Sequence, residues 1–244
     1  MPVRETPLFE IHARGDNLVA TLPRAAPVFS WAHLHGGLRA HVRHILIHQV
    51  EPDLQGEDVG TVLRRAVSRA RLPGTVVGIC TSGRIADFGV AEGHHEELYA
   101  AALCVASANR LLTVGDVGTY MEADSATMPT RAMHLVLATN YSTTHEAMLE
   151  AMGIATEAKV QVLREFGLRN GTTGQLAIGS SMDCVAVTCG HDRRYTFAGK
   201  STKWGELLGQ ASLRALRTAI QKALSSADEL SPGLGTSAHE LSGR

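Results

Sequence analysis

The chain alternates short apolar runs with longer stretches whose apolar residues recur at helical spacing, and this order limits the fold more than any other feature. Six runs bounded by turn-forming residues predict strands: LFEIHA, NLVATL, APVFSWAHL, HILIHQV, MHLVLATN and DCVAVTC. Helices are predicted for EDVGTVLRRAVSRARL, for EELYAAALCVASANRLL, for the stretch from Thr143 to Gly167 and for the stretch from Leu208 to Ala223. In the third helix, Thr143 and Glu146 predict a capping box and Gly167 predicts a left-handed end. Its predicted apolar face carries Leu149, Met152, Thr156, Val160 and Leu163. TVVGICTSGRIADFGVAEG predicts a β-hairpin.

These elements predict one mixed α/β (α+β) domain over residues 1–224, with helices packed on a mainly antiparallel or mixed sheet. By analogy, its strand–helix–turn–strand portion resembles four-layer αββα sandwich amidases and acyltransferases. From Ser225 onward the polar sequence SSADELSPGLGTSAHELSGR predicts a flexible tail over residues 225–244.

Composition excludes several functional classes. The net charge is −1 with no Lys/Arg cluster, so neither nucleic acid nor a membrane surface is an expected partner. No apolar run has the length of a membrane span, and four cysteines without C-x-x-C spacing predict buried thiols in a cytoplasmic protein. A small-molecule substrate is the expected partner, no cofactor is expected, and a homo-oligomer remains open.

Residues 29–50 contain five of the twelve histidines. His44 and His48 would share one face of a strand, and His33 and His35 would share a face in the same way. Such pairs suit metal ligands, acid–base groups, or polar residues that flank a buried strand. No Asp, Glu or Cys stands at ligand spacing nearby, so no metal site is predicted.

Two glycine-containing segments are candidate ligand-binding turns. Gly36-Gly37 predicts a turn or a close approach of the backbone to a ligand. Gly179-Ser180-Ser181 can offer backbone N–H groups to an oxyanion and a hydroxyl group as nucleophile. The alternative for the second segment is a tight turn with a side-chain cap.

Two further positions lie near the long predicted helix. Asn140 ends an apolar strand, where α/β folds often place ligand groups, although an Asx-turn would explain it equally well. Glu157 and Lys159 lie on opposite flanks of the helix's apolar stripe, so Glu157 is either a buried acid or an interface position. General motifs such as G-x-S-x-G, a Walker loop or H-E-x-x-H do not occur.

Together and in this order, AHLHGGL, HILIHQV, HLVLATN, ATEAK, IGSSMD and AGKSTKWGELLG resemble the adenosylcobinamide amidohydrolase family over roughly residues 28–224. Some positions depart from the family pattern. His35 and His48 stand where the family usually has asparagine, and Met182 replaces a hydroxyl-bearing residue. The segment VGDVGTYMEADSA lacks an asparagine that the family pattern has.

The resemblance implies hydrolysis of the aminopropanol amide of adenosylcobinamide to adenosylcobyric acid in cobamide salvage. Asp183 or Glu157 would activate water, Ser180 would attack or donate to the oxyanion, and His35 or His48 would protonate the leaving amine. The candidate catalytic residues are Asp183, Ser180, His35, His48 and Glu157. The candidate substrate-binding residues are Gly36, Gly37, Asn140, Gly179, Ser181 and Glu206.

The departures leave two alternatives. A diverged family member could hydrolyse, cyclise or rearrange a different small metabolite, for example in a biosynthetic cluster, because imidazoles in place of amides titrate near neutral pH. A non-catalytic module that binds a corrinoid or another metabolite is the second. The matching segments also predict that seven residues gather around one cleft: Gly36, Gly37, Asn140, Glu157, Gly179, Ser180 and Asp183.

Overall fold

The computed structural model describes residues 4–52, 54–55, 57–118, 127–128, 132–191 and 194–230. The strands are β1 (Arg4–Glu5), β2 (Glu10–Arg14), β3 (Asn17–Ser30), β4 (Gly37–Gln49), β5 (Leu54–Gln55), β6 (Thr75–Thr81), β7 (Gly89–His95), β8 (Leu98–Ala106), β9 (Leu111–Leu112), β10 (Thr127–Met128), β11 (Met133–Thr139), β12 (Ser142–Thr143), β13 (Gly179–Ser180), β14 (Cys184–Thr188) and β15 (Arg194–Tyr195). The helices are α1 (Val59–Ala70), α2 (His145–Glu165) and α3 (Lys203–Leu230), with a 3₁₀ turn at Ile85–Asp87.

A large curled sheet is built around the long strand β3. One edge of β3 pairs with β4 along its whole length, while the other edge pairs first with β2 and then with β14. Beyond β14 the order continues through β11, β8 and β7, and β6 lies beside β4. The β3–β4 register shifts between Thr21 and Val28, and such irregularities bend a strand, which helps the sheet to curl.

Curling brings two halves of the sheet face to face and gives four layers. Ile47 and Ile79 on one half pack against Leu103 and Val136 on the other. Alternate residues of each strand point outward, as the period of two requires. The outer face of β8, β11 and β14 is covered by α2 and α3, and the outer face of β4 and β6 by α1. The expected class, a single mixed α/β domain of helices on a mixed sheet, is therefore confirmed.

One predicted helix is a strand. The run from Leu98 to Ala106 forms β8, between β7 and β11 at the middle of its half of the sheet. Both faces of β8 are covered, so every position is apolar and the period of two disappears. The predicted hairpin is also wrong, because β6 pairs with β4, β7 pairs with β8, and the 3₁₀ turn separates them.

The helix ends differ in detail from the prediction. Thr144, one residue later than expected, caps α2 by accepting a hydrogen bond from the Ala147 N–H. Gly167 has φ +62°, which confirms the predicted left-handed end. Leu149 is 53% exposed, so the buried face of α2 is rotated from the predicted stripe. Helix α3 continues to Leu230, and residues 231–244, which include most of the predicted tail, lie outside the described part.

Candidate active site

The carboxylate of Asp183 lies where two parallel strands begin. Strands β11 and β14 run side by side in the same direction, with His134 opposite Cys184. Asp183 immediately precedes β14, and its Oδ1 accepts a hydrogen bond of 2.8 Å from the Met133 N–H at the start of β11. The Asp183 side chain is 11% exposed, so the carboxylate is largely withdrawn from water but still reachable.

Ser180 and Lys159 both donate to this carboxylate. The tight turn from β13 to β14 folds Asp183 back, so that Oδ2 accepts from the Ser180 N–H at 3.1 Å and Oδ1 accepts from the Ser180 hydroxyl. Lys159 reaches Oδ2 from helix α2 and forms an ion pair with it. The Lys159 side chain is 12% exposed, so the ion pair is screened much less than one on the surface.

Gly179 is required by this close packing. A Cβ atom at this position would lie 2.7 Å from Asp183 Oδ2 and 3.1 Å from Lys159 Nζ. Any larger residue would push the carboxylate and the ammonium group apart. Glycine is therefore needed here because it lacks a Cβ and lets the Asp183 and Lys159 side chains come close to the backbone, rather than because the turn needs an unusual backbone conformation.

Trp31 contacts the turn that carries Asp183. Its indole N–H donates a hydrogen bond of 2.6 Å to the backbone carbonyl of Asp183, which fixes the ring beside the turn. The side chain nevertheless remains 48% exposed. A large aromatic surface held in place by its polar edge and open to solvent is typical of a ligand-contacting residue.

Neutral groups lie behind the carboxylate. His134 is fully buried, and burial lowers its pKa to about 3, with nearby His33 as the next cause. The Nδ1 of His33 accepts a hydrogen bond from the Cys80 N–H, so a neutral His33 carries its proton on Nε2. Burial, followed by the charge of Asp183, raises the pKa of the Cys104 thiol. The charged chemistry is therefore confined to Asp183 and Lys159.

The structure places Asn140 away from Asp183. Asn140 follows β11, at the opposite end of the strand pair, and five paired residues separate the two ends, or roughly 17 Å of strand. Its amide accepts from the Tyr99 N–H at 2.8 Å and donates to the Glu97 carbonyl at 2.7 Å. Asn140 lines a separate cavity of about 250 Å³. The expectation of one shared cleft therefore does not hold for Asn140, because parallel pairing separates the start of β14 from the end of β11.

The Gly36-Gly37 segment forms a turn of the chain. A Cβ at Gly36 would lie 2.5 Å from the Ala32 carbonyl oxygen, and Gly37 has φ +77°. His35 has φ +55° and donates from Nδ1 to the Val76 carbonyl at 2.8 Å. The close approach at Gly36 is thus to the protein's own backbone.

The remaining candidates are dispersed. His48 lies in β4 opposite Asn17, and its Nδ1 and the Asn17 Oδ1 are 2.8 Å apart. Glu157 is exposed and paired with Lys200, and Glu206 is paired with Lys203 one helical turn away. Ser181 lies next to Ser180 in the turn. The structure thus brings Gly179, Ser180, Ser181 and Asp183 together and leaves the histidine and glutamate candidates elsewhere.

Sequence reasoning missed two residues of the cluster. Lys159 was placed on the flank of a helical stripe, but its chain reaches inward to Asp183. The signal for it was available, since ATEAK is one of the segments shared with the family and Lys159 ends it. Trp31 has no comparable signal, because it meets Asp183 across 152 positions of sequence.

Comparison with known proteins places the chain in a family. The sequence model of the adenosylcobinamide amidohydrolases matches residues 4–228. The chain belongs to this family. The family is named for hydrolysis of an amide of adenosylcobinamide.

Individual relatives are more distant. Over 158 residues the chain is 27% identical to the uncharacterised protein MJ1613 of Methanocaldococcus jannaschii; the match spans 59% of this chain and 62% of that protein's length. A β-aminopeptidase from a Burkholderia species aligns with a TM-score of 0.45 at 14% identity, covering 91% of this chain and 82% of the other. An L-aminopeptidase D-Ala-esterase/amidase from Ochrobactrum anthropi aligns with a TM-score of 0.40 at 14% identity, covering 93% and 80%.

Within the described ranges, no three His, Cys, Asp or Glu side chains gather as a metal site would require. Nor does any helix in that part of the chain combine the length and the apolarity that crossing a membrane requires.

Proposed function

We propose that the protein hydrolyses the aminopropanol amide of adenosylcobinamide to give adenosylcobyric acid, a salvage step for cobamides. Membership of the amidohydrolase family supports this reaction class. The observation that carries the proposal is the convergence of the Ser180 hydroxyl and the Lys159 ammonium group on the Asp183 carboxylate. A nucleophile, a proton acceptor and a cation within one partly exposed cluster are the groups that amide hydrolysis needs.

Ser180 acts as the nucleophile in this proposal. Its Oγ attacks the amide carbon while its proton passes to the Asp183 carboxylate, with which it is already hydrogen-bonded. Lys159 pairs with Asp183 and adds positive charge beside the developing oxyanion. Collapse of the tetrahedral intermediate breaks the C–N bond, and the proton from Asp183 goes to the departing amine. Water then hydrolyses the acyl–serine ester, releasing the carboxylic acid and restoring Ser180.

Trp31 supports a bulky substrate. Its exposed ring lies next to the turn that carries the reacting groups, so it would contact the part of the substrate that flanks the amide. Aromatic faces contribute apolar contact at a small cost in side-chain entropy. His35 and His48 have no role in this mechanism, because neither contacts the Asp183 cluster.

The test is release of aminopropanol from adenosylcobinamide, followed by mass spectrometry. The unmodified protein should release it, and Ser180→Ala should lose about 10²-fold or more in rate. Ser68→Ala, which removes an exposed hydroxyl on α1, is the matched control and should keep full activity. An adduct with the mass of the corrinoid acyl group should appear on the unmodified chain after rapid acid quenching, but not on Ser180→Ala.

Two results would count against the proposal. Failure of the unmodified protein to release aminopropanol would overturn the substrate, and would turn attention to another metabolite. Full activity of Ser180→Ala would overturn the nucleophile and favour direct attack by water activated by Asp183.

A further inference from the structure

A second cleft lies between helix α1 and the hairpin of β2 and β3. Its volume is about 570 Å³, within the range of about 300–1,000 Å³ typical of small-molecule sites. The inner wall is apolar and is formed by Val19, Val62, Ala66 and Leu72. The cleft therefore offers an apolar floor to a ligand body.

The rim of this cleft is basic. Arg14 comes from the hairpin, and Arg65 and Arg69 come from successive turns of α1. Neither Arg14 nor Arg69 forms an ion pair with any residue in the described part of the chain. Arg65 pairs with Glu57 at 2.6 Å, and Asp16 is the acidic residue among those that line the cleft. An excess of positive charge remains over the apolar floor, although the chain as a whole carries a net charge of −1.

His48 lies within reach of this positive charge. Burial lowers its pKa, Asp16 opposes this, and the guanidinium groups of Arg65 and Arg69 lower it further. The charge of both arginines therefore converges on the imidazole. Because its Nδ1 donates to the Asn17 Oδ1, a neutral His48 presents Nε2 as an acceptor, which suits a donor group of a ligand rather than a phosphate oxygen.

The basic cleft is separate from the Asp183 cluster. In the β3–β4 pair, Asn17 lies opposite His48 and Ser30 lies opposite Gly37. Ser30 adjoins Trp31 and pairs with β14, so the cluster is at one end of β3. His48 and the basic cleft are at the other end, and the amide chemistry does not need them.

We propose that this cleft binds a phosphorylated small molecule, with the phosphate held by Arg14, Arg65 and Arg69 and an apolar or aromatic body on the floor. Guanidinium groups make paired, charge-assisted hydrogen bonds to phosphate oxygens. The floor of Val and Ala side chains would be left unused by inorganic phosphate alone. A ligand with both parts therefore fits the cleft better than either a simple anion or a neutral apolar compound.

Titration calorimetry with phenyl phosphate, inorganic phosphate and phenol tests the proposal. Phenyl phosphate should bind about tenfold more tightly than inorganic phosphate because it also covers the apolar floor, and phenol should not bind measurably. Arg69→Gln should weaken phenyl phosphate by about tenfold or more, the loss expected for one charge-assisted hydrogen bond. Arg64→Gln removes the same charge from the same helix outside the cleft, and should change the affinity less than twofold.

Amide hydrolysis provides an independent readout. Arg69→Gln should leave aminopropanol release unchanged, so a failure of the binding test is distinguishable from a failure of the proposed activity. Absence of phenyl phosphate binding to the unmodified protein would overturn the proposal. So would equal weakening by Arg69→Gln and Arg64→Gln, which would indicate general attraction to a charged surface.

Discussion

Replacing Asp183 with asparagine isolates the contribution of the carboxylate, because the two side chains have nearly the same shape. Four donors point at Asp183: the Met133 N–H, the Ser180 N–H, the Ser180 hydroxyl and the Lys159 ammonium group. A carboxylate has two oxygens with about four acceptor sites, whereas asparagine has one oxygen and turns an NH₂ group towards the remaining donors. Asp183→Asn therefore leaves Lys159 without a counterion and at least one further donor unsatisfied.

The burial of the pair sets the magnitude. Lys159 and Asp183 are 12% and 11% exposed, so solvent does little to compensate the lost partner. Breaking a buried ion pair on one side costs about 3–5 kcal/mol, and an unsatisfied buried donor about 1–3 kcal/mol. We expect the free energy of unfolding to fall by about 4 kcal/mol, and the rate of amide hydrolysis by about 10²–10⁴-fold.

Urea denaturation of three variants measures the effect. Lys159→Met in the Asp183→Asn background removes the unpaired ammonium group, so the double variant should be more stable than Asp183→Asn by about 1 kcal/mol or more. Both should remain inactive, because neither retains the carboxylate that accepts the Ser180 proton. Glu157 lies on the same helix as Lys159 and forms an exposed pair with Lys200, which precedes α3. Glu157→Gln breaks that pair and should change the free energy of unfolding by less than about 0.5 kcal/mol. The reasoning is refuted if Asp183→Asn costs no more than Glu157→Gln, or if the double variant is the least stable of the set.

Three further outcomes are expected. Trp31→Ala should raise KM for adenosylcobinamide by about tenfold with kcat within about threefold, in steady-state assays; a fall in kcat alone would contradict a role in substrate contact. His35→Asn and His48→Asn should each keep kcat/KM within about threefold, and a drop of about 10²-fold in either would return that residue to the chemistry. Burial lowers the pKa of His134 from 6.5 to about 3. Between these two pH values the unfolded chain binds a proton at His134 that the folded chain does not bind. The free energy of unfolding should therefore fall as the pH drops from 7 to 5, more steeply than in His134→Leu; parallel pH profiles of the two proteins would exclude this role.

Sequence periodicity could identify elements that are covered on one face but not those that are covered on both. Strand β4 and helix α1 were predicted because polar positions alternate with apolar ones at the correct period. In β8 both faces are covered by apolar packing layers, so an alanine-rich sequence that would favour a helix in isolation forms a strand inside the sheet. Tertiary context thus overrode local preference at the position where the sheet is most buried.

The same distinction explains which part of the site was predicted. Gly179, Ser180 and Asp183 occupy one turn, so their proximity is a local property that the sequence displays directly. Lys159 lies on helix α2 and Trp31 follows β3. The spacing of these residues along the sequence does not show that either one contacts Asp183. Five histidines are close together in the sequence between residues 29 and 50. Alternate residues of a strand point to opposite faces, so these side chains need not meet. Density along the chain therefore said little about proximity in space.

The position of Asp183 shows how the topology creates the site. A carboxylate that simply ended a surface turn would be hydrated, and its hydrogen bond to a serine would have little chemical consequence. Here the Met133 N–H lies at the start of the parallel β11–β14 pair, and Asp183 accepts a hydrogen bond from it. Helix α2 covers that end and delivers Lys159, which offsets the cost of withdrawing the charge from water. Without Lys159, a charge as little exposed as that of Asp183 would destabilise the fold. The same low exposure strengthens the interaction of the carboxylate with the Ser180 hydroxyl. The burial of Asp183 therefore accounts both for the stability lost when the ion pair is broken and for the strength of the bond to the Ser180 hydroxyl.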